Sequence, residues 1–321
     1  ERQLGDAYLG LGQLPEGQTH LQKSLALLRH PMPDSTPALI AALLAQVARQ
    51  VLRRLSPATF ARPVSEGKEN LLETTRALQS LGEIYFFADQ KIHALLSTLR
   101  ALNLAERAGT SPELARAYAN TCVIAGVVPL HGLAQHYSRR ARETAKNVGQ
   151  LPTQALVLAR TGLYSLGVGQ WKDGWESLEE AVQISSGLGD RRQWGQSSAI
   201  LAVAALYHGE FSRSEKLYGD LYRAAARTGD IQQQLWGLDG QAINLIRLGK
   251  TGDALAHLQK AEPFLTAVGD RLQVINHNGM VGMAHLQQGN FELARQSADS
   301  VASLLAHASP TICTEFDGYA G

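Results

Sequence analysis

An all-α solenoid of antiparallel helix pairs is the fold this chain predicts, and three observations predict it. Five glycines, Gly109, Gly149, Gly189, Gly229 and Gly269, stand at an unvarying interval of 40, and a fixed period of that size marks a stacked repeat protein. A second series, Gly169, Gly209, Gly249 and Gly289, keeps the same interval of 40 and trails the first by 20 residues, so each unit contains two elements. Between these marks lie stretches such as Gln193 to Tyr207 and Ser212 to Thr228, rich in Ala, Leu, Gln, Arg and Glu, which are good helix formers. A propeller blade has a similar period but needs about four β-rich segments per unit, and none is present. In a solenoid each unit contacts mainly its neighbours, so the product is a long surface rather than a central catalytic pocket.

Aligning the units from Glu69, Gly109, Gly149, Gly189, Gly229 and Gly269 exposes the packing positions. The thirteenth residue after each start is Gly82, Cys122, Gly162, Ala202, Ala242 and Gly282, small side chains that let two helices approach closely. The twenty-fifth is Ala94, Ala134, Gly174, Ser214, Ala254 and Ala294, and the thirty-second is Ala101, Ala141, Ala181, Leu221, Ala261 and Val301. The second helix therefore carries a mostly small face of its own. At the twenty-second position stand Trp171, Phe211 and Phe291, read as aromatic plugs after the turn, with Lys91, His131 and Thr251 departing from the pattern.

This register resembles the tetratricopeptide repeat. In "AVAALYHGEFSRSEKLYGDL", Ala202, Gly209, Phe211, Ser214, Tyr218 and Leu221 fall where that motif has its small, Gly, aromatic, small, aromatic and small residues; Leu221 departs from the last. The usual unit is about 34 residues, so longer helices are implied. HEAT-like repeats fit the period but not the small-Gly-aromatic-small register. The resemblance implies a right-handed superhelix of TPR-like hairpins, with six repeats over residues 69–308 of one continuous solenoid. Leu4, Gly5, Tyr8, Gly12 and Gly17 match one more unit, making 1–30 a partial first repeat, and 309–321 opens a truncated next one, as in a piece of a longer polypeptide.

Residues 31–68 break the period. His30, Pro31, Met32 and Pro33 end the first hairpin, and Pro37 to Leu55 reads as an amphipathic helix with apolar Leu39, Leu43, Val47 and Leu55. Ser56 to Lys68, with Pro57, Pro63 and Gly67, reads as a loop. Arg49, Arg53, Arg54, Arg62 and Lys68 make the insertion basic; the expectation is a solvated helix face and loop rather than a phosphate or acidic-partner patch.

Lys plus Arg number 30 against 29 Asp plus Glu, so no global field draws the chain to nucleic acid or to an anionic membrane. No apolar run approaches the ~20 residues that span a bilayer. Cys122 and Cys313 are too few for a disulfide framework and suit free thiols in a reducing cytoplasm.

Apparent chemical motifs dissolve on inspection. "LGKTGD" at Leu248 imitates a phosphate loop, but the motif's first glycine would be Asn244 and no strand precedes it. "GLGQLP" at Gly10 and "GVGQWK" at Gly167 put Pro15 and Lys172 where a dinucleotide fingerprint needs its third glycine. His131 and His136 would point about 140° apart on one helix, and His277 and His285 have no carboxylate or thiol at ligand spacing, so they read as surface or groove histidines. No catalytic residue, metal site or cofactor is predicted.

In tetratricopeptide arrays the first helices line the concave face, so the resemblance assigns that face the residues 7, 10, 14, 17 and 18 after each unit start. These include Arg116, Val123, Leu163, Leu166, Val203, Leu206, Tyr207, Trp236, Asp239, Ile243, Ile246, Arg247, Asn276, Met283 and Leu286. Arg116, Tyr207, Trp236, Asp239, Arg247 and Asn276 are the candidate binding residues, with Tyr207, Trp236 and Arg247 of types enriched at hot spots. The strip is either an open groove or is packed against the second helices. A clamp for acidic peptide tails needs Lys, Arg and Asn along it, and aliphatics hold most of those places.

The 40-residue spacing, the basic insertion, "YANTCVIAGVVPLHGLAQHYSRRA", "WGLDGQAINLIRLGK" and "DGYAG" look like the repeat region of large bacterial signalling proteins. There a class III nucleotide cyclase or kinase domain is followed by a STAND-type AAA ATPase and then such repeats. The implied role is a non-catalytic protein-interaction and regulatory scaffold, a sensor or autoregulatory arm in the cytoplasm. Its partner would be a protein, a peptide or another domain of the parent chain. The alternative is a small-molecule-sensing repeat domain of a STAND-type transcription activator, answering to a small-molecule effector.

Overall fold

The computed structural model describes residues 1–55 and 67–306. Among them are fifteen α-helices and no strand. A first hairpin, α1 (Arg2–Gly10) and α2 (Leu14–Leu27), is followed by the inserted α3 (Thr36–Leu55). Three repeats follow as α4 (Lys68–Phe87) and α5 (Lys91–Ala108), α6 (Pro112–Val127) and α7 (His131–Val148), and α8 (Leu151–Gly167) and α9 (Trp171–Leu188). Three more are α10 (Arg191–Tyr207) and α11 (Phe211–Thr228), α12 (Ile231–Arg247) and α13 (Thr251–Val268), and α14 (Arg271–Gln287) and α15 (Phe291–Leu305). The fold is the predicted α-solenoid of helix pairs.

Both glycine series have a backbone reason. Gly149, Gly189, Gly229 and Gly269 end the second helices in the left-handed conformation, with φ of 70–74°, which a residue without Cβ adopts at no steric cost. The next residue then starts the following helix: the carboxylates of Asp190, Asp230 and Asp270 accept the amides of Gln193, Gln233 and Gln273 at 3.0–3.1 Å. A Gly-Asp pair thus closes one helix and caps the next. The second series, φ 72–84°, makes the turn inside each hairpin. There the residue after the glycine donates its amide back to the last turn of the first helix, as Gln170 to Ser165 and Lys250 to Leu245 at 2.8 Å.

The chain divides into two compact units. Unit 1 comprises Glu1–Leu9, Glu16–Phe86 and Gln90–Ser197; unit 2 comprises Gly10–Pro15, Phe87–Asp89 and Ser198 onward.

In unit 1, α6 packs on α7 and α8 on α9, with α6 against α8. A Cβ added to Gly162 would lie 3.1–3.2 Å from the Gly174 carbonyl and the Ser177 and Leu178 side chains, so the paired small positions set the helix spacing. Cys122 and Ala134 fill the equivalent places in the preceding hairpin, both fully buried. Burial pushes the Cys122 thiol up to about 12, leaving it an inert core residue.

The insertion differs from its sequence reading. Helix α3 faces inward with Leu39, Gln46 and Gln50, while Ile40, Leu44, Val47, Val51, Leu52 and Leu55 are exposed. Its seam is polar: Gln50 donates to Asn103 at 2.8 Å and to Glu106 at 2.9 Å, and Asn103 donates to the Gln46 side chain at 2.9 Å. Nor are Arg53 and Arg54 merely solvated, since Arg53 pairs with Glu106 at 3.3 Å and Arg54 donates to the Tyr137 hydroxyl at 2.7 Å. Leu39 together with these hydrogen bonds, rather than the full apolar series, defines the buried face. Lys68 belongs to α4 rather than to a loop. Residues 56–66, including Arg62, and the stretch 309–321, including Cys313, lie outside the described residues.

In unit 2, α12 packs on α11 and α13, and α14 on α15. Tyr218 covers Gly240 and Tyr222 covers Gly237 so closely that a Cβ at either glycine would overlap the neighbour. Trp171 of unit 1 and Phe291 of unit 2, each at the first residue of its helix, are 41% and 69% exposed. They are therefore not plugs: a side chain at a helix start leans back past the end of its own helix, beyond the packed turn.

Candidate functional site

The concave positions of unit 1 converge on one cavity of about 380 Å³. Arg76, Arg116, Leu156 and Gln196 are the seventh residues of four successive repeats, and all four line it. Aligned on Gly5 and Gly12, the first hairpin contributes Arg2, Asp6 and Leu9 from its tenth, fourteenth and seventeenth positions. Five first helices, α1, α4, α6, α8 and α10, therefore build the walls.

At the centre lies Glu83, whose side chain is only 10% exposed. Its Oε2 faces Arg116 at 3.4 Å and Arg160 at 3.3 Å, and its Oε1 faces Arg192 at 3.3 Å and accepts from the Gln196 amide at 2.8 Å. Burial pushes the Glu83 carboxyl up, but Arg160, Arg192, Arg116 and the Gln196 bond outweigh it, and the net shift is down to about 2. The carboxylate is thus fully charged at neutral pH. Arg116 shifts the other way, its proton held less firmly, because burial comes first and Arg160 and Arg192 add repulsion that Glu83 only partly offsets. One carboxylate is serving three guanidiniums.

The outer arginines are differently placed. Arg76 bonds Glu113 at 2.7 Å, Glu69 at 2.8 Å and Glu73 at 3.2 Å. Arg2 bonds Glu73 at 2.6 Å and also Asp6. These two are well supplied with counter-charge.

Of the residues expected from sequence, Arg116 alone is in this cavity. The other five lie in unit 2. Asp239 is turned inward, 1% exposed, accepting from Gln273 at 2.6 Å and lying 2.9 Å from the Nδ1 of His277. His277 is accordingly buried, not a surface or groove histidine. Trp236 is half-buried, its ring 5.6 Å from Phe87, and it hydrogen-bonds the Asp270 carboxylate. Asn276 is half-buried, Arg247 is exposed at the end of α12, and Tyr207 is 74% exposed at the end of α10. The apolar strip is mixed: Ile246 is buried, whereas Val203 and Leu286 are exposed.

Arg160 and Arg192 were missed, and Glu83 and Gln196, although on the assigned strip at offsets 14 and 7 of their repeats, were not singled out as binding residues. Arg76 likewise stands at offset 7 of the repeat that starts at Glu69. Arg160 and Arg192 lie off the five offsets, on the same helices but one or more residues aside.

No protein-family model matches this chain, and no curated protein matches it in sequence. Solved structures that share its fold include two that cover nearly all of this chain. One is a signal transduction ATPase with numerous domains (STAND) protein with a tetratricopeptide repeat sensor, from Pyrococcus horikoshii. The TM-score is 0.56 and the identity 13%, over 98% of this chain and 48% of that one. The other is aspartyl phosphate phosphatase F from Bacillus subtilis, with a TM-score of 0.57 and 12% identity over 98% of this chain and 89% of that one. This chain spans about half the length of the STAND protein. At such identities the likeness is one of fold, a TPR-like helical repeat.

Proposed function

We propose that this chain is a non-catalytic regulatory scaffold, the sensor or autoregulatory arm of a larger bacterial signalling ATPase or cyclase acting in the cytoplasm. The observation that carries this reading is the convergence of five first helices on a single cavity. A ligand there touches α1 and α10 at once, so its binding free energy acts on how the first helices of unit 1 pack around the cavity. The fold shared with a protein described as carrying a tetratricopeptide repeat sensor supports the same role. Protein or domain partners would meet the strip of unit 2 at Tyr207, Trp236, Arg247 and Asn276. Small-molecule sensing, the second reading, is favoured by the size of the unit 1 cavity, about 380 Å³. The test is the ATPase or cyclase output of the full-length parent with and without this region. Removal should change the basal rate several-fold; an unchanged rate, or nucleotide turnover by this chain alone, contradicts the proposal.

A further inference from the structure

The cavity around Glu83 is short of acceptors. A guanidinium carries five N–H donors, yet Arg160 makes a single hydrogen bond, to Glu83 at 3.3 Å. Arg116 reaches the same oxygen only at 3.4 Å, and its Nε is buried with no partner. Charge-assisted bonds normally close to about 2.7–2.9 Å, a length that Arg76 and Arg2 do reach on their own carboxylates. A buried donor without an acceptor is costly, and on this wall it is Arg116 and Arg160 that make only long bonds, whereas Arg76 and Arg2 are satisfied. Asp190, also on the wall, already accepts the Gln193 amide at 3.1 Å as a helix cap.

A second mismatch has the opposite sign. The Oδ1 atom of Asp6 is buried without a donor, although its Oδ2 pairs with Arg2. Asp6 and Arg116 line the same space and interact electrostatically. Leu9 and Leu156 supply apolar wall, and 380 Å³ lies in the size range of small-molecule sites, ~300–1,000 Å³.

We propose that this cavity binds a small organic oxyanion, a phosphate ester or a carboxylate, that also carries a hydroxyl or ammonium group. Arg116 and Arg160, joined by Arg192, hold the oxyanion, and Asp6 accepts the donor group. Planar guanidinium forks match oxyanions two bonds at a time. Glu83 is the resident anion: it keeps three guanidiniums folded side by side before the ligand arrives and competes with the ligand afterwards. The inference rests on the concave face of unit 1 being an effector site, and adds the ligand's chemistry.

The test is calorimetric titration of the full chain with glucose 6-phosphate, malate, inorganic phosphate, neutral glucose and a glutamate-rich heptapeptide. Glucose 6-phosphate or malate should bind saturably, which of the two binds more tightly identifying the head group, and glucose should not bind. Arg160→Gln and Arg116→Gln should each weaken binding about tenfold or more, the loss of a charged hydrogen bond, while the remote exposed Arg295→Gln leaves it unchanged. Glu83→Gln should tighten it; should that variant not fold, the arginine variants decide. No binding by either organic anion, equal binding by Arg160→Gln, or binding by the acidic peptide alone overturns the proposal. Output control by the parent without anion binding would sink the ligand class only; loss of both would sink the effector reading.

Discussion

Glu83 holds the fourteenth position of its repeat, where the other five place Val123, Leu163, Val203, Ile243 and Met283. A lone carboxylate in an aliphatic series must be matched by cations, and the arginines that match it come from repeats up to 109 residues away. Its depressed pKa has a consequence for stability. The folded state holds the charged form more tightly than the unfolded chain does, so the stabilisation is present above the ordinary carboxyl value of 4.5. It is lost as pH falls toward about 2. At ~1.4 kcal/mol per pH unit this is worth about 3 kcal/mol. Acid unfolding followed by circular dichroism should show that dependence, and Glu83→Gln should flatten it while costing about 3–5 kcal/mol at pH 7. Asp270 in unit 2 has the opposite sign. Burial raises its carboxyl to about 6 against the bonds from Gln273, Gln232 and Trp236. The unfolded chain then loses its proton first, and stability falls as pH climbs from about 4 to about 6. Asp270→Asn keeps a capping oxygen, so denaturant titration at pH 7.5 should find it about 1–3 kcal/mol more stable, with the difference vanishing near pH 4. An equal effect at both pH values would contradict this.

Along a single helix end the two uses of glycine separate. Gly187 is helical in α9 with open space where a Cβ would go, and two residues later Gly189 takes φ 70° to end the helix. Gly187→Ala should stabilise by up to about 1 kcal/mol through helix propensity, whereas Gly189→Ala should destabilise by about 1 kcal/mol because a side chain is strained there. Thermal melts of the pair test it, and a gain from both would remove the helix-end role of the glycine series. At this scale the sequence was most legible. The interval of 40 located every hairpin from α4 to α15, because Gly is demanded by a backbone angle and small residues by interhelix distance. It was least legible at α3, where apolar spacing found Leu39 but also named Val47 and Leu55, which are exposed, and passed over Gln46 and Gln50, which bonds to Asn103, Glu106 and Tyr137 bury. Those partners lie more than 50 residues away, beyond the reach of local periodicity.

In the whole molecule, repetition supplies the architecture and the departures from it supply the site. The aligned concave offsets contain Arg116, Glu83 and Gln196 but not Arg160 and Arg192, and that residues of α1, α4, α6, α8 and α10 meet around one carboxylate is not contained in a one-dimensional pattern. The charge surplus was likewise hidden: the total of 30 cations against 29 anions averages away a cavity lined by five arginines and three carboxylates. In unit 2 the corresponding strip turned Asp239 inward toward His277 and Gln273, so equal repeat positions perform different tasks in the two units. That unit 1 holds a recognition site on its concave face is the central claim. Hydrogen exchange of the full chain, with and without saturating glucose 6-phosphate or malate, tests it most directly. The prediction is slowed exchange concentrated in α4, α6, α8 and α10, around Glu83, Arg116, Arg160 and Arg192. Protection confined to unit 2, or no protection in those four helices, would contradict it.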